Sequence, residues 1–171
     1  MEVKDDASHD AYDDVANQSV PATTTDDDTV GFTLSTTSVS VAETGTTAQF
    51  TVVLDTEPEG NVVILASSND SGEAQVGGPL TFTSSNWDTP QTFTITGVDD
   101  SIDDGDQQAT FTVEVKDDES HDAYDDVANQ SVTATTTDDD TVGFTLSTTS
   151  VSVAETGTTA QFTLVLDTEP E

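Results

Sequence analysis

Residues 2–59 realign on residues 114–171 at an offset of 112, and across the 58 pairs only Ala7/Glu119, Pro21/Thr133 and Val52/Leu164 differ. Near-identity at that distance reads as recent duplication or homogenisation within a longer array. The repeat restricts the fold to a unit that closes within one period and joins to copies of itself in series. The chain starts late in one copy (1–28), holds one complete copy (29–140) and stops early in the next (141–171). Asp26-Asp27-Asp28 and Asp138-Asp139-Asp140, each followed by Thr-Val-Gly-Phe, mark the joints. Met1 falls in mid-repeat and reads as an imposed start, so the lack of a targeting segment carries no information about the parent protein.

Charge is the second constraint. Thirty-five acidic residues face two lysines, Lys4 and Lys116, giving a formal net charge of −33. Such a chain has no electrostatic footing for nucleic acid, whose phosphates are bound by Lys and Arg. Anionic membrane surfaces repel it as well. Self-repulsion on this scale opposes compaction, so the chain is disordered, screened by salt, or neutralised by bound cations. Periodicity argues against disorder. Thr92-Phe93-Thr94-Ile95-Thr96, Phe111-Thr112-Val113-Glu114-Val115 and Ser38-Val39-Ser40-Val41 alternate strictly, the pattern of half-buried strands. The threonines are β-branched strand formers on the solvent face.

Strands are expected near 31–35 (A), 38–42 (A′), 49–54 (B), 62–67 (C), 80–84 (D), 91–97 (E), 109–116 (F) and 131–136 (G). The segments between them are turn-rich. Seven or so short strands at this spacing predict an all-β, immunoglobulin-like antiparallel sandwich in tandem repeats of 112 residues. With no cysteine, neither disulfides nor thiolate metal sites arise.

Alternating strand direction sorts the loops onto two ends. Glu43, Asp70, Asp99, Asp100, Asp103, Asp104, Asp106 and Asp138-Asp139-Asp140 fall at the end where strand G finishes. Asp55, Glu57, Glu59, Asp88 and the acidic F–G loop (117–126) fall at the other. Two unit charges about 4 Å apart repel by on the order of 1 kcal/mol in water and several times that near a protein surface. A hard divalent cation reverses the sign. Calcium accepts six to eight oxygen ligands in flexible geometry, whereas magnesium demands an octahedron and keeps its waters. Without a histidine or cysteine cluster, zinc and copper are unsuited. Several Ca2+ ions per repeat are therefore expected, at this end and at the joints, with Asp26, Asp27 and Asp28 repeating the triplet's role. The segment Asp99–Asp106 is not an EF-hand: with Gly105 at the sixth position, the third is Ile102 and the twelfth Phe111, neither an oxygen ligand.

Val41-Ala42-Glu43, Asn69-Asp70-Ser71-Gly72, Leu80-Thr81-Phe82-Thr83, the Asp-Asp…Asp-Gly-Asp run before Phe111 and the closing Asp triplet together resemble Calx-beta-type domains. Such repeats occur in giant bacterial RTX adhesins exported by type I secretion. The resemblance implies a calcium-stiffened extender at the extracellular cell surface, projecting a distal binding module. It also implies that Glu43, Asp70, Asp99, Asp100, Asp103, Asp138, Asp139 and Asp140 ligate calcium. The chain departs from the pattern at Gly105-Asp106-Gln107-Gln108, where the family often has a further Glu. The expected partners are neighbouring repeats of the same chain, with no nucleic acid, no direct membrane contact and no small-molecule substrate. The alternative is an adhesive domain that itself holds glycan or protein.

No enzymatic constellation emerges. Ser120-His121-Asp122, repeated at Ser8-His9-Asp10, has the residue types of a hydrolase triad. Three neighbours in one loop cannot set up nucleophile, base and orienter, and His121 reads as a turn cap. Trp87 reads as a core-edge residue rather than a sugar platform, and the Thr-x-Thr runs read as ordinary solvent faces. The two partial copies carry complementary strands. Either neighbouring molecules pair to make a composite unit, or the span is a window on a longer chain.

Overall fold

The computed structural model describes residues 15–170. The beginning of the first partial copy, with Ser8-His9-Asp10, and Glu171 lie outside the described residues. Nine strands build the complete copy: β1 (Phe32–Leu34), β2 (Ser38–Ala42), β3 (Thr47–Leu54), β4 (Val62–Ser68), β5 (Ala74–Val76), β6 (Leu80–Phe82), β7 (Gln91–Gly97), β8 (Gln107–Val115) and β9 (Gln130–Thr137). They form one sheet in the order β1-β3-β7-β5 and another in the order β2-β9-β8-β4-β6. All pairings are antiparallel except β2 with β9. The expected β-sandwich is the fold observed.

Alternation makes the core. Phe50, Val52 and Leu54 of β3, Phe93 and Ile95 of β7, Ala109, Phe111 and Val113 of β8, and Val132 and Ala134 of β9 are all buried. Their polar neighbours sit on the opposite face of each strand, as period-2 geometry requires. Phe50 and Phe93 lie opposite one another in register and stack with centroids 5.3 Å apart. Trp87 packs half-buried against the edge of this core, as expected.

The element bounds differ from expectation at the ends. Strand A shrinks to three residues, and the chain then crosses sheets through a turn in which Ser38 N–H donates to Thr36 Oγ1 at 3.2 Å. Strand D ends at Phe82 rather than 84, and strand F starts at Gln107. β5 lies inside a segment expected to be turn. It is a three-residue strand pairing Ala74 with Gly97, too short for alternation to announce. The F–G loop folds into two 3-10 turns, 117–119 and 122–124. Its Tyr124 is buried and donates its hydroxyl to Thr56 O at 2.9 Å, closing that end of the sandwich.

The parallel β2–β9 pairing decides where the acids go. It sets Ala42 beside Thr137, and Glu43 N–H donates to Thr137 O at 3.2 Å. Glu43 and Asp138, the residues that follow the two strands, leave the sheet side by side. Gly97 makes room for this. A Cβ there would overlap the Ala42 carbonyl oxygen, so only glycine lets β2 end this close to β7.

The following copy repeats the β1–β3 register. β10 (Phe144–Leu146) pairs with β11 (Leu164–Leu166), Phe144 opposite Leu166 as Phe32 is opposite Leu54. The environment differs. Phe32 and Leu54 are 3% and 2% exposed, Phe144 and Leu166 60% and 53%. Two short strands bury little until a second sheet covers them. Residues 15–28 form no strand.

Replacing Gly97 by Ala is expected to destabilise the chain by about 1–3 kcal/mol, the usual cost of overpacking, and to displace Glu43. Denaturant unfolding checks the first effect. A midpoint equal to wild type would contradict the close-approach account.

Candidate metal centre

At the end where β2 and β9 finish, one carboxylate oxygen each from Glu43, Asp100 and Asp140 lies within 4.8 Å of the others. Three separate elements supply them: the turn after β2, the β7–β8 loop and the segment after β9. Each is held by backbone hydrogen bonds. Asp138 Oδ2 accepts from Gly105 N–H at 2.7 Å, and its Oδ1 accepts from Asp140 N–H at 2.8 Å. Asp106 Oδ1 accepts from Asp138 N–H at 3.3 Å. The triplet is thereby tied to the β7–β8 loop, whose Gly105 takes a left-handed φ of 73° that favours glycine. Asp100 Oδ1 accepts from Ile102 N–H at 2.7 Å, fixing the turn that presents it.

Glu43 is the unusual member. It is 1% exposed, and its Oε2 has no hydrogen-bond partner. Among the described residues the only other buried side-chain oxygen or nitrogen without one is Glu73 Oε2. Glu73 precedes β5 at this same end of the sandwich. Its carbonyl accepts from Val98 N–H at 2.9 Å and Thr136 Oγ1 at 3.1 Å. Buried acids without partners are costly. Desolvation, then the charges of Asp138, Asp100, Glu73 and Asp104, push Glu43 up to about 7. Glu73 is raised by desolvation and by Asp104, Asp70, Asp100 and Asp138. Asp140 is raised by desolvation and by Asp138, Asp139, Asp99 and Asp100. A cation among these groups fits both observations: it gives the stranded oxygens a partner and offsets the like charges.

Of the residues singled out from sequence, Glu43, Asp100 and Asp140 converge. Asp138 and Asp99 stand close enough to perturb them. Asp70 acts on Glu73, and its Oδ1 accepts from Gly72 N–H at 3.1 Å. Asp139 is exposed. Asp103 Oδ2 accepts from Val142 N–H at 2.8 Å, so that oxygen serves the junction with the next copy. Asp26, Asp27 and Asp28 are exposed on the other side of the complete copy, with Asp26 and Asp28 beside Val30 and Pro58. Glu73 escaped sequence reading. The signal that bears on it is the three-residue β5, which ties its neighbour to Gly97.

Ser120-His121-Asp122 forms no triad. Ser120 Oγ accepts from Val63 N–H at 3.0 Å, and His121 Nδ1 accepts from Ala123 N–H at 3.3 Å, capping the turn as expected.

No protein-family model matches the chain, and no curated protein does. Among solved structures it is similar to the ASH/PapD-like domain of human CEP192, at 14% identity over 73% of this chain and 96% of that one, with a TM-score of 0.46. It is similar to the apo form of the Calx CBD1 domain, at 15% identity over 65% and 98%, with a TM-score of 0.44. It is also similar to the surface-layer protein SbsC, at 16% identity over 86% of this chain and 22% of that one, with a TM-score of 0.43. At TM-scores under 0.5 these likenesses assign neither family nor function.

The raised carboxyl of Glu43 has a consequence for the metal-free chain. Between its ordinary value of 4.5 and about 7, the folded state holds a proton that the unfolded state has released. This contribution to stability is therefore present below pH 4.5 and is lost as pH rises through 7. In excess chelator the melting temperature is expected to fall between pH 5 and pH 8. Glu43→Gln is expected to flatten that fall, and a pH-independent melt of the wild-type chain would contradict the burial of a charged Glu43.

Proposed function

We propose that the chain is a calcium-stabilised structural extender repeat of a long cell-surface adhesin and has no enzymatic role. The observation that carries the metal reading is Glu43 Oε2: fully buried, unpartnered, and in a side chain grouped with Asp100 and Asp140. An anionic pocket built wholly from hard oxygen donors suits Ca2+. Glu43, Asp100 and Asp140 would hold the ion, with Asp138, Asp99, Asp139, Asp70, Asp103 and Glu73 completing or flanking the shell. Further ions at the joints, including Asp26, Asp27 and Asp28, belong to the same reading. The metal supplies charge neutralisation and cross-links β2, the β7–β8 loop and the segment after β9.

The extender role is supported by the near-identical repeat. A spacer is selected for length and stiffness, which copying preserves. An extracellular address follows from the same reading, because millimolar calcium outside the cell would drive folding by mass action.

Calcium in excess is expected to raise the melting temperature over chelator by roughly 10 °C or more, since a ligand at about 100 times its Kd adds about 2.7 kcal/mol. Glu43→Gln is expected to abolish most of that rise. Asp88→Asn, at the far end, is expected to leave it intact. A calcium-independent melt would refute the metal reading. Small-angle scattering of a multi-repeat chain tests the extender: a rod that loses stiffness in chelator supports it, and an unchanged envelope contradicts it.

A further inference from the structure

The β7–β8 loop does more than carry acids: it seats the next copy. Ser101 O accepts from Glu169 N–H at 2.7 Å, and Asp103 Oδ2 accepts from Val142 N–H at 2.8 Å. Between these two bonds, Ile102 stands in one groove with Val142, Gly143, Leu166, Thr168 and Pro170. The contact is two hydrogen bonds, with the apolar Ile102 lining the groove between them.

The offset of 112 maps the receiving surface back onto the complete copy. Val142, Thr168, Glu169 and Pro170 correspond to Val30, Thr56, Glu57 and Pro58. Those four line a groove of about 350 Å³ at the opposite end of the sandwich, where His121 and Tyr124 of the F–G loop add a further wall. The chain thus shows one seat hydrogen-bonded to the loop and the same seat without it.

We infer that the open groove at Val30, Thr56, Glu57 and Pro58 is a docking site for the Ser101-Ile102-Asp103 loop of a second copy of this repeat. The contact is head-to-tail: the loop end of one copy meets the groove end of the next, a heterologous arrangement that propagates in series. In the docked state, Val30 N–H donates to the incoming Asp103 and Glu57 N–H donates to the incoming Ser101 carbonyl, with Ile102 against Val30 and Pro58. The inference deepens the extender reading by naming its joint, and it rests on that reading for its biological use.

The test uses the full chain, which has no cysteine of its own. A donor carries Ser101→Cys with Val142→Asp, which places an acid beside Asp103 and frees the loop from its own seat. An acceptor carries Glu57→Cys. A short thiol-to-thiol cross-linker is added to the mixture, in calcium and in chelator. Donor–acceptor heterodimers are expected to dominate. Their yield is expected to fall about tenfold or more when the donor also carries Ile102→Asp or the acceptor Val30→Asp, the loss expected for one apolar anchor. Circular dichroism confirms that each variant is folded, and the two variants on opposite partners guard against misfolding of either. Heterodimers indifferent to both substitutions, or mainly donor–donor or acceptor–acceptor products, would overturn the inference. Cross-linking that persists in chelator beside a calcium-independent melt would fail the metal reading and leave the joint standing.

Discussion

Everything at one end of this molecule turns on a buried carboxylate, that of Glu43, one oxygen of which has no hydrogen-bond partner in the protein. Glu43 is forced inward by the register of β2 against β9 and by the absence of a Cβ at Gly97. Around it the fold gathers Asp100, Asp138, Asp140 and Glu73, each of which raises the cost of its charge or shares in it. A sandwich core this well alternated does not need such a cluster in order to close. The cluster is a separate feature, placed where three segments that are distant in sequence meet.

The same segments also make the junction. The β7–β8 loop presents Asp100 to Glu43 while its Ile102 and Asp103 face the next copy. Asp138 binds the loop through Gly105 and the triplet through Asp140. Neutralising the carboxylates would therefore stiffen the loop that meets the next copy. A cation at the carboxylates and the proposed joint would be mechanically coupled without sharing all their residues, which is how a string of small sandwiches could respond as one rod.

Much of this was legible in the sequence because period-2 alternation is strict. β2 and β7 have the expected bounds, and the sorting of acids onto two ends follows from strand direction alone. What stayed hidden lacked periodicity. β5 is three residues between Gly72 and the Gly77-Gly78-Pro79 turn, so Glu73 looked like a loop acid rather than one with a buried oxygen. Composition also says nothing about which of many aspartates converge. The family resemblance names Glu43 beside seven aspartates, and its 1% exposure is what sets it apart from them; Asp103 turns to the junction because a backbone N–H of the next copy reaches it.

A crystal structure of the chain grown in calcium, with anomalous data collected to locate the ion, tests the central claim most directly. The account predicts an anomalous peak with oxygens of Glu43, Asp100 and Asp140 at about 2.3–2.6 Å. A structure in which calcium sits elsewhere, and Glu43 is protonated and dry among its neighbours, would contradict it.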